Sequence, residues 1–203
     1  MVLTRDEIIK QEILSAAQRL FQQFGIRKTT MEDIAKNICK GKSTLYYYYC
    51  SKEQIFDAVV QRELEEVFSK TNEAVDKAIT AEAKLKAYSI TRLKTMRGMS
   101  NLYQMVRVEM LENPPSYHHL HKEYEEREIK LITRILRIGI ERGEFHARLA
   151  REMDIMPYII MSSLKGFEFD LFSENRFENI ENRIEAIVDL LLKGLENYER
   201  LRA

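Results

Sequence analysis

The chain is predicted to be all-α, and three observations carry that prediction. Apolar residues recur at spacings of three and four along most of its length, and capping boxes stand where helices would begin. Its 203 residues hold only seven Gly and three Pro, too few for the many turns of an all-β fold. Hydrophobic residues make up 45% and charged residues 32%, so the chain should fold, as one large domain or two small ones. The opening MVLTRDEIIK is too polar for a secretory signal core. The longest mostly apolar run, about Ile155 to Met161, is too short to span a bilayer. Cys39 and Cys50 cannot build a disulfide scaffold and fit a reducing compartment. The expectation is a soluble cytoplasmic protein.

Thr4-Arg5-Asp6-Glu7 is the first capping box. Ile9, Ile13, Ala16, Ala17, Leu20, Phe21 and Phe24 then share a broad helical face, which Gly25 should end in a left-handed conformation. Thr30-Met31-Glu32-Asp33 opens a second, short helix with Ile34, Ala35 and Ile38 inward. A tight break at 39–41 leads to a third helix over 42–50, and Ser51-Lys52-Glu53-Gln54 opens a longer fourth. Two short helices joined by a turn of about three residues describe a helix-turn-helix. Although the whole chain has no net charge, residues 1–54 carry three more basic than acidic side chains, and the remainder is acidic by three. Such a basic end fits a polyanion-binding head.

The third helix, Gly41-Lys42-Ser43-Thr44-Leu45-Tyr46-Tyr47-Tyr48-Tyr49, has only Leu45 and Tyr49 on a common inward face. Its remaining Lys, Ser, Thr and phenols point outward, and so much exposed aromatic surface calls for a partner. Small residues let a backbone approach the DNA major groove, Lys and Ser can reach base edges, and Tyr hydroxyls can bond phosphates. A nucleotide-binding loop is excluded: Lys36 stands where its first Gly would be needed, and no strand precedes it.

Thr29-Thr30-Met31-Glu32-Asp33-Ile34-Ala35, followed by Ser43 to Glu53, resembles the DNA-binding domain of the tetracycline-repressor (TetR) family; Ala17, Leu20-Phe21 and Gly25 match as well. The resemblance spans about 45 residues. It implies that Gly41, Lys42, Ser43 and Thr44 face bases, that Tyr46, Tyr47, Tyr48 and Lys52 hold phosphates, and that Thr30 makes a further backbone contact. Two departures stand out: the family usually has Gly where this chain has Cys39, and often Ser where it has Gly41.

Beyond residue 54 no Gly/Pro/Ser-rich linker intervenes. Apolar stripes at 83–96, 103–111, 120–140, 155–172 and 180–201 bring the expected total to about nine helices. We therefore expect a DNA-binding domain over 1–54 and a ligand-binding and dimerisation domain over 55–203. The last two stripes are more apolar than one inward face needs, which fits a four-helix dimer interface including Ile160, Leu164, Phe167, Ile184, Ile187, Leu191 and Leu195. Dimerisation by these helices is also what the resemblance implies. Met96, Met99, Tyr103, Met110, Tyr117 and Met161 are the residues expected to line a ligand pocket, since Met packs adaptably around apolar molecules. His118, His119 and His121 lie just after Pro114-Pro115-Ser116 and read as solvated rather than metal-binding.

No catalytic set, metal site or cofactor motif is recognisable, so an enzyme is not expected. The expected function is a homodimeric transcriptional regulator, a repressor that binds a palindromic operator and is released by a small molecule. The alternatives are a helical carrier or enzyme with a vestigial DNA-binding head, and an adaptor that docks partners on its tyrosine-rich helix.

Overall fold

The computed structural model describes residues 4–98, 114–173 and 181–195. Among these the chain is helical without strands, in the order α1 (Arg5–Phe24), α2 (Met31–Asn37), α3 (Lys42–Tyr48), α4 (Lys52–Lys77), α5 (Ala81–Gly98), α6 (Pro114–Glu141), α7 (Met156–Ser173) and α8 (Glu181–Leu192). Short 3₁₀ segments follow α6 and α8, at Ala147–Arg151 and Lys193–Leu195. The stripe expected over 103–111 lies outside the described residues. No helix among the described residues is long and apolar enough to cross a membrane.

The chain divides into two compact units, residues 1–65 with 101–120 and residues 66–100 with 121–203. The first unit is built from local signals. Both halves of the α1 capping box form: Thr4 Oγ1 accepts from the Glu7 amide, and Glu7 Oε2 accepts from the Thr4 amide at 2.7 Å. Thr30 and Asp33 repeat the arrangement at α2. At α4 the Gln54 amide donates to Ser51 Oγ, but Gln54 Oε1 reaches back to the Cys50 amide instead of that of Ser51. Each such cap contributes about 1 kcal/mol.

Gly25 closes α1 with φ 81° and ψ 158°. This is the extended positive-φ region, open essentially to glycine alone, rather than the left-handed helical one expected. The left-handed residue of the domain is Cys39, at φ 53°. It ends α2 in a Schellman arrangement, with the Cys39 amide on the Lys36 carbonyl and the Lys40 amide on the Ala35 carbonyl. A cysteine thus holds the turn that glycine usually supplies, at a conformational cost of about 1–2 kcal/mol.

The apolar faces of α1, α2, α3 and the start of α4 meet in one core. Ile13, Ala16, Ala17, Phe21, Ile34, Leu45, Ile55, Phe56 and Val59 have no exposed surface there. Phe21 and Phe56 meet edge to face, with ring centres 5.6 Å apart. Burying each large apolar side chain contributes about 1.5–3 kcal/mol. Arg62 of α4 forks onto Ser15 Oγ and Gln18 Oε1 of α1, while Arg19 reaches Asn37 at the end of α2.

In the second unit α5 packs against α7 and α8. Tyr88, Leu85 and Leu93 of α5, Ile132, Ile135 and Leu136 of α6, Met161 of α7 and Val188 of α8 are buried. The chain turns out of α6 at Gly143 (φ 68°) and folds Phe145 back over Gly139. A β-carbon at Gly139 would stand 2.1 Å from the Phe145 ring, which is itself 1% exposed. Gly139→Ala is therefore expected to cost about 1–3 kcal/mol through overpacking, read as a lower urea midpoint with an unchanged slope. An unaltered midpoint would show that Phe145 has room to move aside.

Candidate nucleic-acid interface and ligand pocket

Leu45 is fully buried and fixes α3 against the core, and half-buried Tyr49 caps its far end with an extended backbone. That anchoring decides what faces outward. Lys42 and Ser43 are exposed and Thr44 is half-buried; Tyr46 and Tyr47 are 47% and 77% exposed. Gly41 takes the N-cap position without a side-chain bond, so nothing bulky covers the start of the helix. The Lys42 ammonium lies 5.9 Å from the centre of the Tyr46 ring, which holds the cation at the outer face. Lys52 is half-buried at the first position of α4, and Thr30 is exposed at the start of α2. Gly41, Lys42, Ser43, Tyr46, Tyr47 and Thr30 therefore share the property a groove-reading surface needs, outward polar and aromatic groups on a rigid base.

Tyr48 differs from its neighbours. It is half-buried, its ring meets that of Tyr47 edge to face, and its hydroxyl donates to Asp6 Oδ1 at 2.8 Å. The phenol is thus engaged by a carboxylate in the first turn of α1, and that bond raises its pKa. Burial raises the pKa of Tyr49. Glu32, on the outer side of α2, pairs with Lys36 at 3.0 Å.

Of the residues expected to line a pocket, Met96 and Met161 are buried in the second unit, at 6% and 1% exposure. Met99, Tyr103 and Met110 lie outside the described residues, and Tyr117 falls in α6 with its side chain outside them. One turn before Met96 on α5 stands Arg92, and two turns after Met161 on α7 stands Glu168. Arg92 Nε donates to Glu128 Oε1 of α6 at 2.6 Å, and its Nη1 pairs with Glu168 Oε1. Tyr88 also donates to Glu128 Oε1, at 2.9 Å. Burial alone would lower the pKa of the guanidinium, but Glu128 together with Tyr124 and Tyr88 more than reverses this and keeps it charged. Burial, reinforced by Glu128, likewise pushes the Tyr88 and Tyr124 phenols up, so both stay protonated. This buried polar centre was not recognisable as a unit in the sequence, where Arg92, Glu128 and Glu168 are ordinary charges 36 and 40 residues apart.

Among the residues expected at a dimer interface, Leu191 is 69% exposed, Ile160, Phe167, Ile187 and Leu195 are half-buried, and Leu164 is buried within its own unit. Ile184 lies in α8 with its side chain outside the described residues. The most exposed apolar surface is offset by part of a turn: Ile155 just before α7 and Tyr158 and Ile159 on it are 44–54% exposed, and Leu190 on α8 is 68% exposed. A β-carbon on Gly166, on the same side of α7 as Ile159, would meet no neighbour within 4 Å.

The family model for bacterial regulatory proteins of the tetR family matches residues 13–59, the span from the middle of α1 into α4. The chain is similar to the uncharacterized HTH-type transcriptional regulator YhgD of Bacillus subtilis, 39% identical over 70 residues that make up 34% of this chain and 37% of that one. It is also similar to the HTH-type transcriptional regulator RutR of Escherichia coli K12, 32% identical over 106 residues, 52% of this chain and 50% of that one. The matches thus span about half or less of the length of these two relatives. In fold it resembles the fatty acid degradation regulator FadR from Bacillus halodurans, with a TM-score of 0.75 at 20% identity over 92% of this chain and 99% of that one.

Proposed function

We propose that this chain is a ligand-responsive transcriptional repressor that binds a palindromic operator in duplex DNA as a homodimer and is released by a small molecule. The observation that carries the reading is the outward face of α3, with Lys42, Ser43, Tyr46 and Tyr47 exposed on a helix pinned through Leu45. Residues 1–54 read the DNA; residues 55–203 hold the ligand and make the dimer, through the exposed apolar faces of α7 and α8. Two heads then reach successive major grooves about 34–36 Å apart. The protein works in the cytoplasm beside the DNA, as a regulator rather than a catalyst. The ligand acts by preferring the state that cannot bind DNA, and a coupling of about 1.4 kcal/mol already changes operator affinity tenfold.

Fluorescence anisotropy with the DNA upstream of its own gene, titrated against salt beside a scrambled duplex, tests the reading. Tight, sequence-selective and salt-dependent binding is expected, and no binding to either duplex at low salt would overturn it. In the same assay Lys42→Ala should lose about 1–3 kcal/mol on the operator and relax sequence choice. Lys52→Ala should weaken binding to both duplexes and reduce the salt slope by about one. Equal losses on operator and scrambled DNA for Lys42→Ala would remove its base-reading role.

A further inference from the structure

The polar centre of the second unit is out of balance by one charge. Arg92, Glu128 and Glu168 are at most 2% exposed, and they bring two carboxylates to one guanidinium. Glu128 is well supplied, since Arg92 and Tyr88 both donate to its Oε1 and Arg92 Nη2 lies 3.4 Å from its Oε2. Glu168 is not. Its Oε1 is ion-paired with Arg92 Nη1, and among the described residues neither of its buried oxygens accepts a hydrogen bond, Oε2 having no charged partner either. An ionised carboxylate in an apolar interior is strongly unfavourable unless a cation or a full set of donors completes it. The neighbouring charged pair cannot do so, because Lys165, one turn before Glu168, is already paired with Glu125.

We propose that Glu168 Oε2 is the polar anchor of the ligand site and that the ligand is an apolar molecule carrying a protonated amine. This rests on the reading of the second unit as the ligand-binding domain. An ammonium group neutralises the surplus charge and donates the hydrogen bond that Oε2 lacks. Met96 and Met161 are buried on the faces of α5 and α7 that carry Arg92 and Glu168, and the proposal makes them the polarisable apolar lining beside that anchor. An anionic head group is disfavoured at the same place, because Arg92, the cation it would seek, is already engaged by two carboxylates.

The test uses the full-length protein and three probes that share one chain and differ in the head: dodecylammonium, dodecanol and dodecanoate, each below its micelle concentration. Isothermal titration is expected to give dodecylammonium at least about tenfold tighter than dodecanol, the size of one charge-assisted hydrogen bond, with dodecanoate weakest. Glu168→Gln removes the surplus charge and should bring the ammonium and alcohol affinities within about threefold, with the circular dichroism spectrum unchanged. The ranking of the three heads on the wild-type protein stands as a test even if that variant fails to fold. Equal affinity for ammonium and alcohol, a preference for dodecanoate, or no binding of any probe would overturn the proposal. Operator anisotropy recorded beside the titration separates the two readings. Ammonium binding without any change in DNA affinity supports the site and sinks its regulatory role, whereas DNA binding with no probe bound sinks the site alone.

Discussion

Arg92→Ala is expected to cost about 3–5 kcal/mol, enough to unfold a large share of the molecules at physiological temperature. The reason is the imbalance left behind. Removing the guanidinium strands Glu128 and Glu168 as two buried like charges, with only the Tyr88 hydroxyl still donating to Glu128 among the bonds described above. The loss comes from this uncompensated burial rather than from the removed contacts. The triple change Arg92→Met, Glu128→Gln, Glu168→Gln should therefore recover most of it, because a neutral set of similar volume no longer carries the cost of burying charge. Urea unfolding followed by circular dichroism reads both effects. A loss below about 1 kcal/mol for Arg92→Ala would mean that water or relaxation already screens the cluster.

Leu191→Glu is expected to leave the fold intact and to separate the dimer. The side chain is 69% exposed in the single chain, so little intramolecular packing is lost, yet the change places a carboxylate in the apolar surface formed with Leu190. Light scattering is expected to report a dimer for the unaltered protein and a monomer for the variant. Operator affinity should then fall by about 100-fold or more, because the second head no longer binds as a tethered partner. A dimer that persists would place the interface elsewhere, and a monomer that still binds the operator tightly would remove dimerisation from the mechanism.

The helix-turn-helix was legible because its signals are local. A capping box needs residues three apart, and the inward placement of Leu45 and Tyr49 follows from helical spacing alone; both appear as read. Tyr48 shows where such reading stops. Its hydroxyl partner Asp6 lies 42 residues away, so nothing in the tyrosine run itself distinguishes this phenol from Tyr46 and Tyr47. Cys39 illustrates another limit, since a left-handed turn imposed by the packing of α2 and α3 tolerates a side chain that local preference disfavours. In the second unit, periodicity located the helices but not the rotation of each about its axis. On the same apolar stripe Leu164 is buried in the single chain, while Ile155 and Ile159, like Leu190 of α8, are exposed. The charged centre escaped for a thermodynamic reason: Arg and Glu are ordinarily solvated, and only three-dimensional packing selects the few that are not.

The tyrosines of α3 also give the protein an optical character. With ten Tyr and no Trp, its ultraviolet emission is entirely phenolic. Tyr88 and Tyr48 are bonded to carboxylates, which quench phenol emission, whereas Tyr46 and Tyr47 stand open to water at the outer face of the head. Among the described residues this exposed pair shares the unquenched signal with Tyr158 of the second unit. Docking of α3 against a nucleic acid would be visible in the unlabelled protein, as a change in the brightness of two side chains.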